Sequence, residues 1–244
     1  MDETGRAIIA RVEAEVVAIK HVTPHMQRIT VGGAALESFL RTDGVETPAA
    51  WVKVFLPSGE GRAYTIRQIN KEQQTLDLDF VLHHKEESYS PASSWAFQAQ
   101  KGERITLAGP RAGSFALPED AAWVILAGDV TALPAIQNIA ANLPPTVRAR
   151  VYVEIPTHED QQEIRSPAAL SVVWLEPRER PGLALEQRVL YRPFPLGPGY
   201  VWVAGESRIA KELRAHYLRE RYLERHRVTT EGYWKVGKAD HREG

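Results

Sequence analysis

The chain has 244 residues, 30 lysines and arginines against 31 aspartates and glutamates, and no cysteine. Without cysteine there are no disulfides, thiol nucleophiles or cysteine-held iron–sulfur clusters, so any electron transfer needs an organic carrier. The near-zero net charge gives no pull toward nucleic acid or an anionic membrane, and no apolar run reaches membrane-span length; a cytoplasmic protein with neither partner is expected.

Residues 7–118 read as short strands separated by turns. Val12, Ala14 and Val16 alternate with charged neighbours, and Gln27, Ile29 and Val31 repeat the period of two. In residues 51–56, Val52, Val54 and Leu56 share one face, leaving Trp51, Lys53 and Phe55 on the other. After the turn at 57–61 comes Arg62-Ala63-Tyr64-Thr65-Ile66-Arg67, then the alternation of Leu76, Leu78, Phe80 and Leu82. One short helix interrupts the strands: Ala92, Trp95, Ala96 and Ala99 fall at helical spacing behind Ser90 and Pro91. A strand at 104–107 runs into the turn Gly109-Pro110-Arg111. This pattern predicts an antiparallel barrel or sandwich.

Past Pro118 the texture changes. Residues 122–127 form a continuous apolar run, as in a parallel strand buried on both faces. Gly128-Asp129 ends it, and Thr131 stands where it could cap a helix carrying Leu133, Ile136, Ile139 and Leu143. Further strands are predicted at 150–154, 171–175, 200–204 and 228–234, with a Pro/Gly-rich connector over 177–199 and a charged helix from 207 to 226. Strands alternating with helices imply a doubly wound parallel sheet. The organisation is thus β followed by α/β, with domains at 7–118 and 121–237 and a polar tail at 238–244.

Several stretches could carry chemistry. Arg62 to Arg67 puts a phenol ring between guanidinium and hydroxyl groups, a set suited to a flat anionic ligand; an ordinary strand with surface arginines fits it too. Pro91-Ala92-Ser93-Ser94 opens a helix whose amides attract anions, or is capped by its own hydroxyls. Gly128–Thr131 and Ala204–Ser207 lie at carboxyl ends of strands, where open α/β sheets bind ligands. Neither is the Gly-rich dinucleotide fingerprint, and each also reads as a plain strand–helix turn. The eight histidines lack ligand spacing, so no protein-held metal is expected. No acid–base or nucleophilic catalytic set stands out.

Taken in order, Arg62–Arg67, Asp79–His83, Pro91–Trp95, Gly109-Pro110, Gly128–Ile136, Val203–Glu206 and Gly232–Trp234 resemble the siderophore-interacting protein family, ferric-siderophore reductases of the ferredoxin–NADP reductase-like superfamily. The resemblance spans about residues 10–237. It implies a six-stranded FAD-binding barrel, a nicotinamide-nucleotide domain, FAD as cofactor and NADH or NADPH as donor. By resemblance Tyr64 and Thr65 lie at the flavin ring and Arg62 at the phosphates, with Arg67 beside it. Val81 and His83 line the ribityl or adenosine side, and Pro91, Ala92, Ser93 and Trp95 hold the pyrophosphate region. Asp129, Thr131 and Glu206 fall on the nicotinamide side, and Trp234 near the flavin. Lys53 and Arg111, completed by Lys235 or Lys238, would form a basic pocket for an anionic ferric siderophore such as a catecholate. The family often has Gly where Ser90 stands and an acidic residue where Val130 stands.

What this implies is reduction of ferric to ferrous iron with no acid–base residue, in a monomer or alternatively a dimer. Two other readings stay open at this point: a flavoprotein reductase serving a protein partner, and a non-catalytic siderophore-binding protein.

Overall fold

The computed structural model describes residues 11–83 and 90–237, which divide into two compact units between Gly113 and Ser114. In the first unit, β1 (Arg11–Thr23), β2 (Met26–Gly32), β3 (Trp51–Phe55), β4 (Gly61–Asn70), β5 (Thr75–Val81) and β6 (Arg104–Arg111) close a barrel in the order β1-β2-β5-β4-β3-β6. Each described pairing is antiparallel. The alternation seen in the sequence is the reason it closes. Val52, Val54, Leu76, Leu78, Phe80 and Leu107 point inward and form one buried core with Ile29, Val31 and Ile66. A short helix α1 (Leu36–Phe39) adds Leu36 and Phe39 to that core, and α2 (Pro91–Gln98) adds Ala92 and Ala96.

The second unit is a five-stranded sheet in the order β11-β10-β7-β8-β9, with every neighbour parallel. Its strands are β7 (Trp123–Asp129), β8 (Arg148–Glu154), β9 (Ala169–Leu175), β10 (Gly199–Glu206) and β11 (Val228–Trp234). The helices are α3 (Leu133–Ala141), α4 (Leu183–Leu190) and α5 (Ser207–Arg219). Trp123, Ile125 and Ala127 on one face of β7 pack with Leu185 and Val189 of α4 and Ile209 and Leu213 of α5. On the other face, a Cβ at Gly128 would collide with Ala132, at the start of α3. Strand order reverses between β7 and β10, the doubly wound arrangement.

Three details differ from the sequence expectation. The division falls before Ser114 because Trp202 Nε1 donates to Ser114 Oγ at 3.2 Å and Ala116 N donates to Tyr200 Oη at 3.2 Å, so the segment after Gly113 belongs with β10. The connector 177–199 contains α4, whose Leu185 and Val189 are buried one turn apart. The helix expected to run to 226 stops at Arg219: the amides of Glu220 and Arg221 both donate to His216 O, and Tyr222 turns the chain at φ 55°.

Candidate functional site

In the barrel, β4 presents Tyr64 opposite Val52, with its ring centroid 4.0 Å from that of Phe80. Phe80 in turn meets Trp95 of α2 edge-on at 5.4 Å. Trp95 Nε1 donates to Glu103 Oε2 at 2.9 Å, which fixes the indole. The amide of His83 donates to Ser93 Oγ at 2.8 Å, and Gln27 Nε2 donates to Ala96 O, so α2 is tied to the end of β5 and to β2. The barrel thereby brings Tyr64, His83, Ala92, Ser93 and Trp95 into one linked group, with Val81 ending β5 beside it. Pro91 opens α2, and Ser90 makes no side-chain cap there. Burial pushes the Tyr64 phenol above its usual range, opposed by the nearby Arg62 charge. The phenol therefore stays neutral. Arg62 is half-buried and its guanidinium donates to Gly61 O at 3.0 Å.

Arg67 goes elsewhere. A register irregularity between Ile66 and Gln68 brings its Nε to 4.0 Å from the buried Asp79, which Arg28 grips with two bonds of 2.7 and 2.8 Å. Burial, then the Arg28 charge, lower the Arg67 pKa. Thr65 is buried and pairs with Trp51.

The expected substrate cations lie on the outward face of the same barrel. The Arg111 guanidinium sits 5.0 Å from the Trp51 ring centroid, and Lys53 Nζ sits 5.5 Å from that of Phe55. Gly61 allows the second contact, because a Cβ there would collide with the Lys53 stem. Trp51 and Phe55 are four residues apart, roughly 13 Å along a strand. The two cations thus cap different aromatics. Arg11, which the sequence reading passed over, also lies 4.9 Å from the Phe55 ring. The missed signal is register: Arg11 and Lys53 both pair with Ala108.

In the second unit the polar candidates gather at the carboxyl ends of the strands. Asp129 Oδ1 accepts from Thr131 N at 2.9 Å and from Thr131 Oγ1, while Oδ2 accepts from Glu206 N at 3.0 Å and Trp234 Nε1 at 2.7 Å. Thr131 therefore serves Asp129 rather than capping α3. Gly205, at φ +138°, supplies the room, since any Cβ there would collide with the Asp129 carboxylate. Desolvation raises the Asp129 pKa against these four bonds.

Glu206, 5 % exposed, caps α5 by accepting from Arg208 N at 2.8 Å and Ile209 N at 3.1 Å. Glu154 plays the same part for α4, accepting from Gly182 N at 2.6 Å and Leu185 N at 3.2 Å. It stands next to Asp129 in register; burial first, and that charge among the lesser causes, raise its pKa. Both its oxygens are thereby engaged at the start of α4. Lys235 is exposed after Trp234; Lys238 lies outside the described residues.

Residues 121–237 match the pattern of the family described as Siderophore-interacting protein, and residues 58–114 that of the Siderophore-interacting FAD-binding domain. The ferric vibriobactin reductase ViuB of Vibrio cholerae is 32 % identical over 90 % of this chain and 87 % of its own length. This chain belongs to the siderophore-interacting protein family. The NADPH-dependent ferric-chelate reductase of Escherichia coli is 26 % identical over 91 % of this chain and 92 % of its own. The structure of a siderophore utilization protein from T. fusca superposes with a TM-score of 0.83 at 29 % identity, covering 96 % of each chain.

FAD is accordingly the family cofactor of the barrel unit, and the residues present suit it. A half-buried neutral phenol ring next to a guanidinium, with a helix start that Ser90 does not cap through its side chain, offers stacking for a heterocycle and positive charge for a diphosphate. Among the described residues no group of three or more His, Cys, Asp or Glu comes together to hold a metal. None of the described helices is long and apolar enough to cross a membrane.

Proposed function

We propose that this protein is an FAD-dependent ferric-siderophore reductase that uses NADH or NADPH to reduce Fe(III) in a siderophore complex to Fe(II). The observation carrying this reading is that the FAD-binding pattern of the family falls on the very strands that present Arg62 and Tyr64, in a chain 32 % identical to a ferric vibriobactin reductase. When bound, FAD supplies the conversion between a two-electron hydride and single-electron steps.

The chain's own residues do the rest. Tyr64 stacks on the ring, with Thr65 at its edge; Arg62 and the backbone N–H groups of Ala92 and Ser93, behind Pro91 in the first turn of α2, neutralise the diphosphate. Val81 and His83 line its far side, and Trp95, locked by Glu103, holds α2 in place. The carboxyl edge of the second sheet receives the nicotinamide donor. Each hydride delivers two electrons to two ferric complexes, one apiece, and one proton leaves to water. Each ferric complex gains one negative charge, which Lys53 and Arg111 of the barrel offset. That favours an anionic, oxygen-ligated substrate such as a catecholate. Ferrous iron, with lower charge, is held less tightly by hard oxygens and is released. No side chain needs to transfer a proton. One chain carries both units, so a monomer suffices, and the cytoplasm supplies the reduced donor.

The test is an absorbance spectrum of the purified protein, followed by anaerobic titration with NADH, NADPH and a ferric catecholate. A flavin spectrum bleached by a nicotinamide and restored by the ferric complex is expected. A colourless protein that takes up no added FAD, or a reduced one that passes electrons to a ferredoxin but not to ferric complexes, overturns the reading.

A further inference from the structure

The Asp129 carboxylate joins three neighbouring strand ends. It terminates β7, accepts the amide of Glu206 at the end of β10, and accepts the indole N–H of Trp234 at the end of β11. Trp234 is held at a second point, since Ser207 Oγ donates to its carbonyl at 2.9 Å. An indole pinned by both its backbone and its N–H has little freedom to rotate, yet the residue remains half-buried, with part of its surface facing out. It stands at the carboxyl edge of a doubly wound sheet, where such sheets take their ligands.

Asp129 is poorly suited to direct contact with a ligand. Each of its oxygens already accepts two donors, which uses the roughly four lone-pair sites of a carboxylate. A carboxylate so committed has nothing left for an amide or a ribose. What it does control is the direction of the Trp234 ring, because its Oδ2 receives the indole proton and Thr131 holds Oδ1 on the opposite side.

We propose that Asp129 is a positioning residue for Trp234, fixing the indole so that its outward surface forms a wall against which the reduced nicotinamide donor packs. This rests on the reading of the second unit as the donor-binding unit.

The test compares wild type, Trp234→Phe, Asp129→Asn and the double variant in three measurements. The first is the NADH or NADPH concentration that half-saturates anaerobic flavin bleaching. Trp234→Phe should raise it about fivefold, the scale of one aromatic contact. Asp129→Asn should do the same, and the double variant should be no worse than either, as for residues acting in series. The second is the Trp234 emission of FAD-free protein, taken as the difference from Trp234→Phe; it should move to longer wavelength in Asp129→Asn. The third is thermal unfolding of the FAD-free protein, which shows that each variant is folded under the conditions of the first two.

An unchanged donor requirement in Trp234→Phe, multiplying losses in the double variant, or an unshifted Trp234 emission overturns the proposal. Should Asp129→Asn fail to fold, Thr131→Val replaces it in the cycle, removing one hydroxyl donor while leaving the carboxylate. A wild type that neither nicotinamide bleaches brings down the functional reading as well, and that failure is visible before any variant is made.

Discussion

Ser90, before helix α2 of the barrel unit, makes no side-chain cap, whereas α4 and α5 of the sheet unit begin beneath the carboxylates of Glu154 and Glu206. The positive end of a helix attracts a phosphate only where the chain has not already supplied an anion. Under the proposed function, the contrast leaves the start of α2 to the resident dinucleotide and closes α4 and α5 to one; α3, whose Ala132 also makes no side-chain cap, is the start left to the sheet unit. That matches the needs of a reductase with one resident cofactor and one donor that must leave after each hydride. It also separates two uses of charge: cations laid over aromatic rings on the barrel, and carboxylates spent on architecture in the sheet.

The contrast can be broken most directly in the barrel. Arg62→Ala should weaken FAD retention about 10- to 100-fold, the range for one charge-assisted hydrogen bond, and Tyr64→Ala about tenfold for the lost stacking. Titration of flavin-stripped protein measures both, and full flavin content in either variant removes that residue from the site. In the sheet unit, Glu206→Ala should cost about 1 kcal/mol of stability through the lost cap. Denaturant unfolding of the FAD-free protein reads this, while FAD retention and the donor requirement should not worsen. Loss of donor binding with stability intact means that Glu206 holds the donor itself, and the comparison fails.

A smaller effect follows from pH. The Asp129 pKa is raised above 3.8 in the folded chain, so between that value and its folded pKa the native state binds more protons than the unfolded one. Stability contributed through this group therefore falls as pH rises through the window. Wild type should gain stability relative to Asp129→Asn as the pH is lowered from neutral toward 3.8. A difference that is flat with pH contradicts the assignment. The smallest effects are expected on the barrel's outer face. Lys53→Ala and Arg111→Ala should each raise KM for an anionic ferric complex about two- to fivefold, typical of exposed charges, and leave a neutral complex unaffected. Because each cation caps a different aromatic ring, the two losses should multiply.

Much of the barrel was legible in the sequence because inward and outward residues alternate along β3 and β5, and a buried face writes that period into the chain. The same holds for β7 and β10, whose unbroken apolar runs mark strands covered on both sides. Helix α4 was not legible: its buried pair, Leu185 and Val189, is framed by Pro/Gly-rich segments, and its cap comes from Glu154, 28 residues earlier. The site divides in the same way. Tyr64 and Ser93 stand in short motifs whose geometry follows from local structure. Beyond Thr131, the partners of Asp129 lie 77 and 105 residues away, and nothing near position 129 announces them. At Arg67 the sequence does not announce the neighbour Asp79, 4.0 Å away beside an irregularity in β4.

Gly205 and the Asp129 carboxylate occupy each other's space, and Thr131, Glu206 and Trp234 each donate into what remains. For anyone redesigning this unit, those positions behave as one heritable block. A side chain at 205 expels the carboxylate, and an apolar residue at 129 strands four donors at once. Single steps to any side chain at 205, or to an apolar one at 129, should be closed, and a change of donor preference should begin at residues outside the block.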